Sequence, residues 1–381
     1  MYFNRLIKLD KLNSSAFLFG PRMTGKTTLL RQIQVNDYID LLDPEIELQY
    51  KSRPALFWEQ MAALPKGSLV IVDEIQRVPA LLNYVQMGID RQAHIYLMSG
   101  SSSRKLKRGS ANLLGGRALD LKLHPLLSEE IGKNFLISDA LQFGTLPKIS
   151  DLVVEKKTDE AAGHLKSYYT TYVKEEIQAE ALTRNIGSFQ RFLNIAVQSN
   201  GQVIEFANIA RDSSVPASTV KEYYQILEDT LIGFLLWPHD RSERKKARPK
   251  FYFFDCGVIR AIQNRLWDPP TPLEQGFLFE TWFINELSRI RDYQNKPHEF
   301  SFWRERNHEI DFIVSKNGKP VLAIECKSGN ANPDMATEKR FFDLFSGVPL
   351  IVASLVDKKP RKVRNIDILP WQEALQYYKN L

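Results

Sequence analysis

The stretch "AFLFGPRMTGKTTLL", residues 16–30, decides the fold. Ala16–Phe19 reads as a short apolar strand. Gly20-Pro21-Arg22-Met23-Thr24-Gly25-Lys26-Thr27 fits G-x-x-x-x-G-K-[ST], and Thr28 continues into a helix. The glycines let the backbone curl so that its N–H groups face phosphate oxygens. Lys26 neutralises the β and γ phosphates of ATP, and the Thr27 hydroxyl can ligate Mg²⁺. Residues 20–28 are therefore the expected nucleotide loop, with ATP and ADP as its ligands.

Working outward, "SLVIVDEIQRVP" is a second apolar strand that ends in Asp73-Glu74. Apolar strands flanked by helices suit a parallel sheet, whose strand tips bind ligands. Asp73 is expected to hold Mg²⁺ and Glu74 to polarise the attacking water, so this loop should hydrolyse ATP as well as bind it. A third strand, "AHIYLMSGSSS", brings Ser99 or Ser101 toward the γ-phosphate. "LLGGRALDL" projects Arg117 from a Gly-rich turn, where it is a candidate arginine finger, acting in cis or from a neighbouring subunit of a homo-oligomer, or else a plain surface arginine.

The P-loop, "VDEIQ", "SGSSS", "LLGGR" and "HPLLSEE" follow one another in that order. Together they resemble the AAA-type, archaeal-type ATPases whose C-terminal region is called DUF4143. The resemblance implies an ASCE-type α/β ATPase core over residues 1–125 and a helical lid and connector over 126–185.

The whole chain is consistent with this. It has 381 residues, 44% hydrophobic and 25% charged, enough for two or three domains. No apolar run approaches the ~18 residues of a membrane span. The start of the chain does not read as a secretory signal, and two cysteines give no disulfide framework, so a cytoplasmic protein without a membrane partner is expected. The net charge of +6 is compatible with nucleic acid.

Tyr168, Tyr169 and Tyr172 in the connector are spaced for core packing or for stacking on bases. Residues 186–265 read as three helices and a hairpin, a winged helix. Its loop carries Arg241, Arg244, Lys245, Lys246, Arg248 and Lys250 against Asp240 and Glu243. With Lys221 on the third helix, these cations point to sequence-tolerant contact with the DNA backbone.

Residues 266–381 read in the order αβββαβ, with Asn317-Gly318 as a hairpin turn. This order resembles the restriction-endonuclease-like PD-(D/E)xK superfamily. The resemblance places Glu280 on the first helix, Asp311 on the second strand and Glu325-x-Lys327 on the third. It implies Mg²⁺ or Mn²⁺ held by Asp311, Glu325 and the Cys326 carbonyl, with Lys327 stabilising charge and Glu280 holding a water or second metal. Arg304, Arg306 and His308 precede the Asp strand and can meet phosphates.

Register tests this reading. A plain two-residue turn pairs Asp311 with Ile324 and turns Glu325 to the other face, whereas a longer loop or a bulge brings the two carboxylates together. The function expected is a DNA-binding ATPase coupled to a nuclease-like domain acting on duplex or branched DNA. The alternatives are a nucleotide switch, or a DNA remodeller whose nuclease-like fold only binds.

Overall fold

A computed structural model describes residues 3–9, 12–100, 114–173, 186–239, 248–329, 332 and 334–381. The N-terminal part alternates strands and helices: β1 (Ala16–Phe19), α1 (Lys26–Leu30), β2 (Asp37–Asp40), α2 (Pro44–Ser52), α3 (Ala55–Ala62), β3 (Leu69–Asp73), α4 (Leu81–Asp90), β4 (Ile95–Gly100) and β5 (Leu119–Lys122). The strands form one sheet in the order β2-β3-β4-β1-β5, with every neighbouring pair parallel.

Period-two alternation builds both faces of this sheet. Phe17, Phe19, Val70, Val72 and Met98 join Phe57, Met61 and Val85 of α3 and α4 in one core. Ala16, Leu18, Ile71 and Leu97 bury the opposite face with Leu30 and Leu123. The edge strand β2, "DYID", is too short and polar to have been singled out in the sequence.

A helical region follows: α5 (Ser128–Ile131), α6 (Ile137–Phe143), α7 (Pro147–Val154), α8 (Thr158–Ser167) and a π-helical turn at Tyr168–Val173. Tyr168 is buried and Tyr169 packs against the core, so these two serve packing, while the side chain of Tyr172 lies outside the described residues. Three more helices, α9 (Ile186–Gln198), α10 (Phe206–Ser213) and α11 (Ala217–Asp229), precede the antiparallel pair β6 (Gly233–Leu236) and β7 (Lys250–Phe253), then α12 (Cys256–Ile262).

The C-terminal part begins with α13 (Pro272–Tyr293), which opens on Pro272 and a capping box between Thr271 and Glu274. The remaining elements are β8 (His298–Glu305), β9 (His308–Lys316), β10 (Lys319–Lys327), α14 (Met335–Leu344), β11 (Leu350–Ser354), β12 (Arg361–Val363), β13 (Ile366–Pro370) and α15 (Trp371–Lys379). Six strands form a separate mixed sheet, β12-β13-β11-β10-β9-β8. The expected αβββαβ order is present and is extended by β12, β13 and α15.

Helix α13 is buried almost all round from Leu278 to Ile290, as a central helix should be. It is the axis of one continuous apolar core running from Leu127 through the middle helices and β7 to Tyr378.

Candidate functional site

Two polar centres stand out. The first lies at the carboxyl ends of β1, β3 and β4. A Cβ on Gly20 would come within 2.4 Å of the Leu123 carbonyl oxygen, so only glycine fits there. Gly25 turns the loop into α1 with φ +87°, and Met23 also has positive φ. The buried Lys26 ammonium donates to the carbonyls of Gly20 at 2.6 Å and Pro21 at 3.1 Å. Thr24 Oγ1 closes the loop on the Pro21 carbonyl at 2.8 Å. Arg22 and Thr27 are half-buried and Thr28 is exposed.

Strand β4 lies between β1 and β3, which puts Ser99 between the loop and Asp73. Asp73 is fully buried. Its Oδ1 accepts from Ser99 Oγ, and its Oδ2 accepts from the Tyr38 hydroxyl at 2.8 Å. Burial first, and then the charge of Asp73, push the Tyr38 phenol above its ordinary range, so it stays a donor. Ser99 Oγ also accepts from the Glu74 N–H at 3.0 Å, and Gln76 Nε2 donates to the Glu74 carboxylate. A hydroxyl at Thr27 and a buried carboxylate at Asp73 are the hard oxygen donors that suit Mg²⁺. Ser101 lies outside the described residues.

Arg117 is at the opposite end of the sheet. Leu119, two residues later, pairs with Ala16 at the start of β1, whereas the loop follows Phe19 at its end. The strand separates them by about 10 Å. Arg117 Nε instead bonds Asp90 Oδ1 at 2.6 Å, with both side chains partly exposed. An arginine finger acting in cis is therefore corrected, because the parallel order of β1 and β5 turns this residue away from its own nucleotide loop.

The second centre lies where β7, α13, β9 and β10 meet. The β9–β10 turn is two residues, Asn317 and Gly318, both with positive φ. Its register then shifts between Pro320 and Leu322, so that Ile324 pairs with Phe312. Continuing by one step sets Glu325 opposite Asp311, on one face. Asp311 Oδ2 accepts from the Cys326 N–H at 2.8 Å. Lys327 Nζ donates to Glu325 Oε1 at 2.6 Å. Glu325 Oε2 is buried with no hydrogen-bond partner.

Strand β7 supplies two residues that the sequence reading did not assign here. The Tyr252 hydroxyl donates to Glu280 Oε1 at 2.5 Å. Lys250 Nζ lies 2.6 Å from Glu309 Oε1, 3.2 Å from Glu280 Oε1 and 4.0 Å from Asp311 Oδ1. This corrects the grouping of Lys250 with the exposed loop cations. Lys250 pairs with Leu236 and bridges to Val203, so strand alternation turns it and Tyr252 together onto the acids. Burial works against its charge, but the combined pull of Glu280, Asp311 and Glu309 outweighs burial and holds the ammonium above the usual lysine range. Burial and then the charge of Asp311 raise both Glu280 and Glu325, and burial raises Asp311.

Among the described residues, no three acids, histidines or cysteines converge closely enough to hold a metal ion in this conformation. The donor chemistry nevertheless suits Mg²⁺ or Mn²⁺. The oxygens are hard, and the unpartnered Glu325 Oε2 lacks a cation or donor.

Among the other named cations, Arg304 stands at the edge of this centre through Glu309. Arg304 lies 3.6 Å from Glu309, His308 Nδ1 is 2.9 Å from Thr337 Oγ1, and Arg306 is in the β8–β9 turn with positive φ. Lys221 sits over the Phe206 ring at 5.4 Å, and Arg248 pairs with Glu205. Arg241, Arg244, Lys245 and Lys246 lie outside the described residues.

Arg5 ties the nucleotide loop to the far end of α13. Its guanidinium donates to the Thr24 carbonyl of the nucleotide loop at 3.0 Å, to Glu130 at 3.1 Å, to the His124 carbonyl at 2.6 Å and to the Tyr293 hydroxyl at 2.8 Å. His124 Nε2 lies 2.8 Å from Asp292 Oδ2. Tyr293 and Asp292 end the helix that carries Glu280.

Residues 13–132 match the AAA domain family, and residues 275–373 match DUF4143, a domain of unknown function. The chain thus carries an AAA-type P-loop ATPase domain and a DUF4143 region. Between those two regions, the ATPase matches a further domain of unknown function, DUF8612, over residues 134–268. It is 25% identical over 313 residues to an uncharacterized protein of Mycobacterium tuberculosis, covering 80% of this chain and 68% of that one. It is 21% identical over 295 residues to an uncharacterized protein of Haemophilus influenzae, covering 68% and 72%. Among solved structures, it overlaps the Walker-type ATPase of Pyrococcus abyssi at TM-score 0.45 and 12% identity, over 66% of this chain and 91% of that one. It overlaps the Aeropyrum pernix Orc1 protein, solved in complex with DNA, at TM-score 0.29 and 13% identity, over 68% and 88%. No helix among its described residues is long and apolar enough to cross a membrane.

Proposed function

We propose that this ATPase acts on DNA, and that ATP turnover governs a nuclease-like carboxylate site in its C-terminal part. The observation that carries the reading is the register shift beside Pro320, which sets Asp311, Glu325 and Lys327 on one face beside Glu280. A plain Asn-Gly hairpin would have separated the two strand carboxylates.

In this reading Lys26 moves from loop carbonyls to the β and γ phosphates, and Ser99 keeps Asp73 and Glu74 aligned. Thr27 and Asp73 would hold Mg²⁺, and Glu74 orients the attacking water. Arg117 serves a neighbouring protomer, which makes the working form a homo-oligomer. Helices α9–α11 with β6 and β7 form a winged helix over residues 186–265. The cations at 244–248, with Lys221, meet phosphates. Residues 126–185 act as the lid, and residues 266–381 form the nuclease-like domain.

Asp311, Glu325 and the Cys326 carbonyl would hold Mg²⁺ or Mn²⁺ there. A metal so bound supplies charge neutralisation and a more acidic water. Lys327 steadies charge on the phosphate, and Glu280 positions solvent. A second reading, a DNA remodeller whose nuclease-like site is silent, is favoured by the internal pairing of the acids with Lys250.

The test is incubation of the protein with supercoiled plasmid and a branched junction, with Mg²⁺ or Mn²⁺, with and without ATP. Cleavage lost in Lys327→Ala and gated by Lys26→Ala supports the first reading. ATP hydrolysis stimulated by DNA, with no cleavage by any variant, selects the second. ATP hydrolysis indifferent to DNA, with no cleavage, removes the DNA role.

A further inference from the structure

We infer that Lys250 is a built-in counter-cation of the carboxylate site and competes with a divalent metal for it. The inference rests on the metal-site reading above and concerns how that site is regulated.

Three observations carry it. The ammonium lies among Glu309, Glu280 and Asp311, at 2.6, 3.2 and 4.0 Å. Its side chain is only 4% exposed, so the contact is a built one. Lys250 also comes from β7, outside the sheet that carries Asp311 and Glu325, so the cation is delivered by a neighbouring module.

Geometry explains why the ammonium and a metal exclude each other. A divalent ion of this class draws carboxylate oxygens to about 2.1 Å, whereas an ammonium holds them at hydrogen-bond length. Around Lys250 the acids are spaced for the ammonium, and no three of them converge. Lys327 is committed to Glu325, which leaves Lys250 as the cation that faces Glu280 and Asp311 together. Glu325 Oε2, without a partner, is the oxygen a metal would recruit on entry. The folded site is thus latent, and metal enters as Lys250 is displaced. Tyr252, bonded to Glu280, fixes the acid that Lys250 shares.

The test is a Mn²⁺ titration of nucleotide-free protein, read by electron paramagnetic resonance of the free ion. It compares wild type, Lys250→Met, Glu309→Gln and Asp311→Asn. Glu309→Gln removes the 2.6 Å anchor of Lys250 while keeping every proposed metal ligand, and it serves if Lys250→Met does not fold. The expected result is Asp311-dependent binding at least about tenfold tighter in Lys250→Met than in wild type, with Glu309→Gln in between. Equal Asp311-dependent binding in all three would overturn the competition and leave the metal site standing. No Asp311-dependent binding in any folded variant would overturn both.

Discussion

Lys26, at the start of α1, and Lys250, at the start of β7, are both buried lysines, and the partners described for each differ in kind. Lys26 donates to two neutral carbonyls of its own loop. Bonds of that kind cost little to exchange for phosphate oxygens. Lys250 is ringed by carboxylates from α13 and β9. Its charge is already matched, so it stands where a foreign cation would. The same ammonium is a binding group when its partners are dipoles, and a counter-ion when they are charges.

The largest effect expected from this contrast is on stability. Lys250→Met leaves buried acids without their cation and should cost about 3–5 kcal/mol at neutral pH. Lys26→Met is expected to lower ATP turnover on the order of a hundredfold. Urea denaturation measures the first effect and an ATPase assay the second, and a Lys250→Met variant as stable as wild type would break the contrast.

Next comes Arg5→Ala, expected to cost about 3 kcal/mol because Glu130, fully buried at its side chain, loses its cation and keeps only the N–H groups of Leu6 and Leu127. A double-mutant cycle with Tyr293→Phe should show coupling of about 0.5–3 kcal/mol, and strict additivity would mean that Arg5 does not tie the nucleotide loop to α13.

The smallest effect sharpens the view of buried acids. Burial pushes the Glu286 carboxyl up to about 7, against the pull of Arg289 and Ser128. The folded state therefore holds this proton above the ordinary value of about 4.3, and stability falls as pH rises from there through about 7. Glu286→Gln should remove on the order of 1–3 kcal/mol of that fall, seen by comparing urea midpoints at pH 5 and pH 8. An unchanged slope would assign the pH dependence to other groups.

The nucleotide loop is legible in the sequence because its working parts are contiguous and each residue type has one job. Asp73 is legible because an apolar strand ends there. The carboxylate site is legible as an order of elements, with its register left open. Pro320 was the available signal, since a residue without an N–H in an inner strand belongs beside a bulge. Lys250 and Tyr252 escaped because "RPKFYFF" reads as the tail of a basic loop, and alternation matters only once β7 is known to face α13. Arg5 had no local signal, since its partners Glu130, His124 and Tyr293 lie 119 to 288 residues away. The direction of Arg117 depends on strand order, which no turn motif encodes.

The apolar clusters divide the chain differently from its family regions. Leu123 closes the core of the ATPase sheet, and Leu127 opens the core that runs to Tyr378. Between them lie only His124, Pro125 and Leu126. The core that runs from Leu127 to Tyr378 meets the nucleotide sheet beside Arg5 and Asp292, and also where Met23 packs on it and where Leu231 packs on the core of the sheet. Met23 of the nucleotide loop packs against the same core as Phe279 and Phe283, which flank Glu280 on α13, so loop and acids rest on one set of packed side chains.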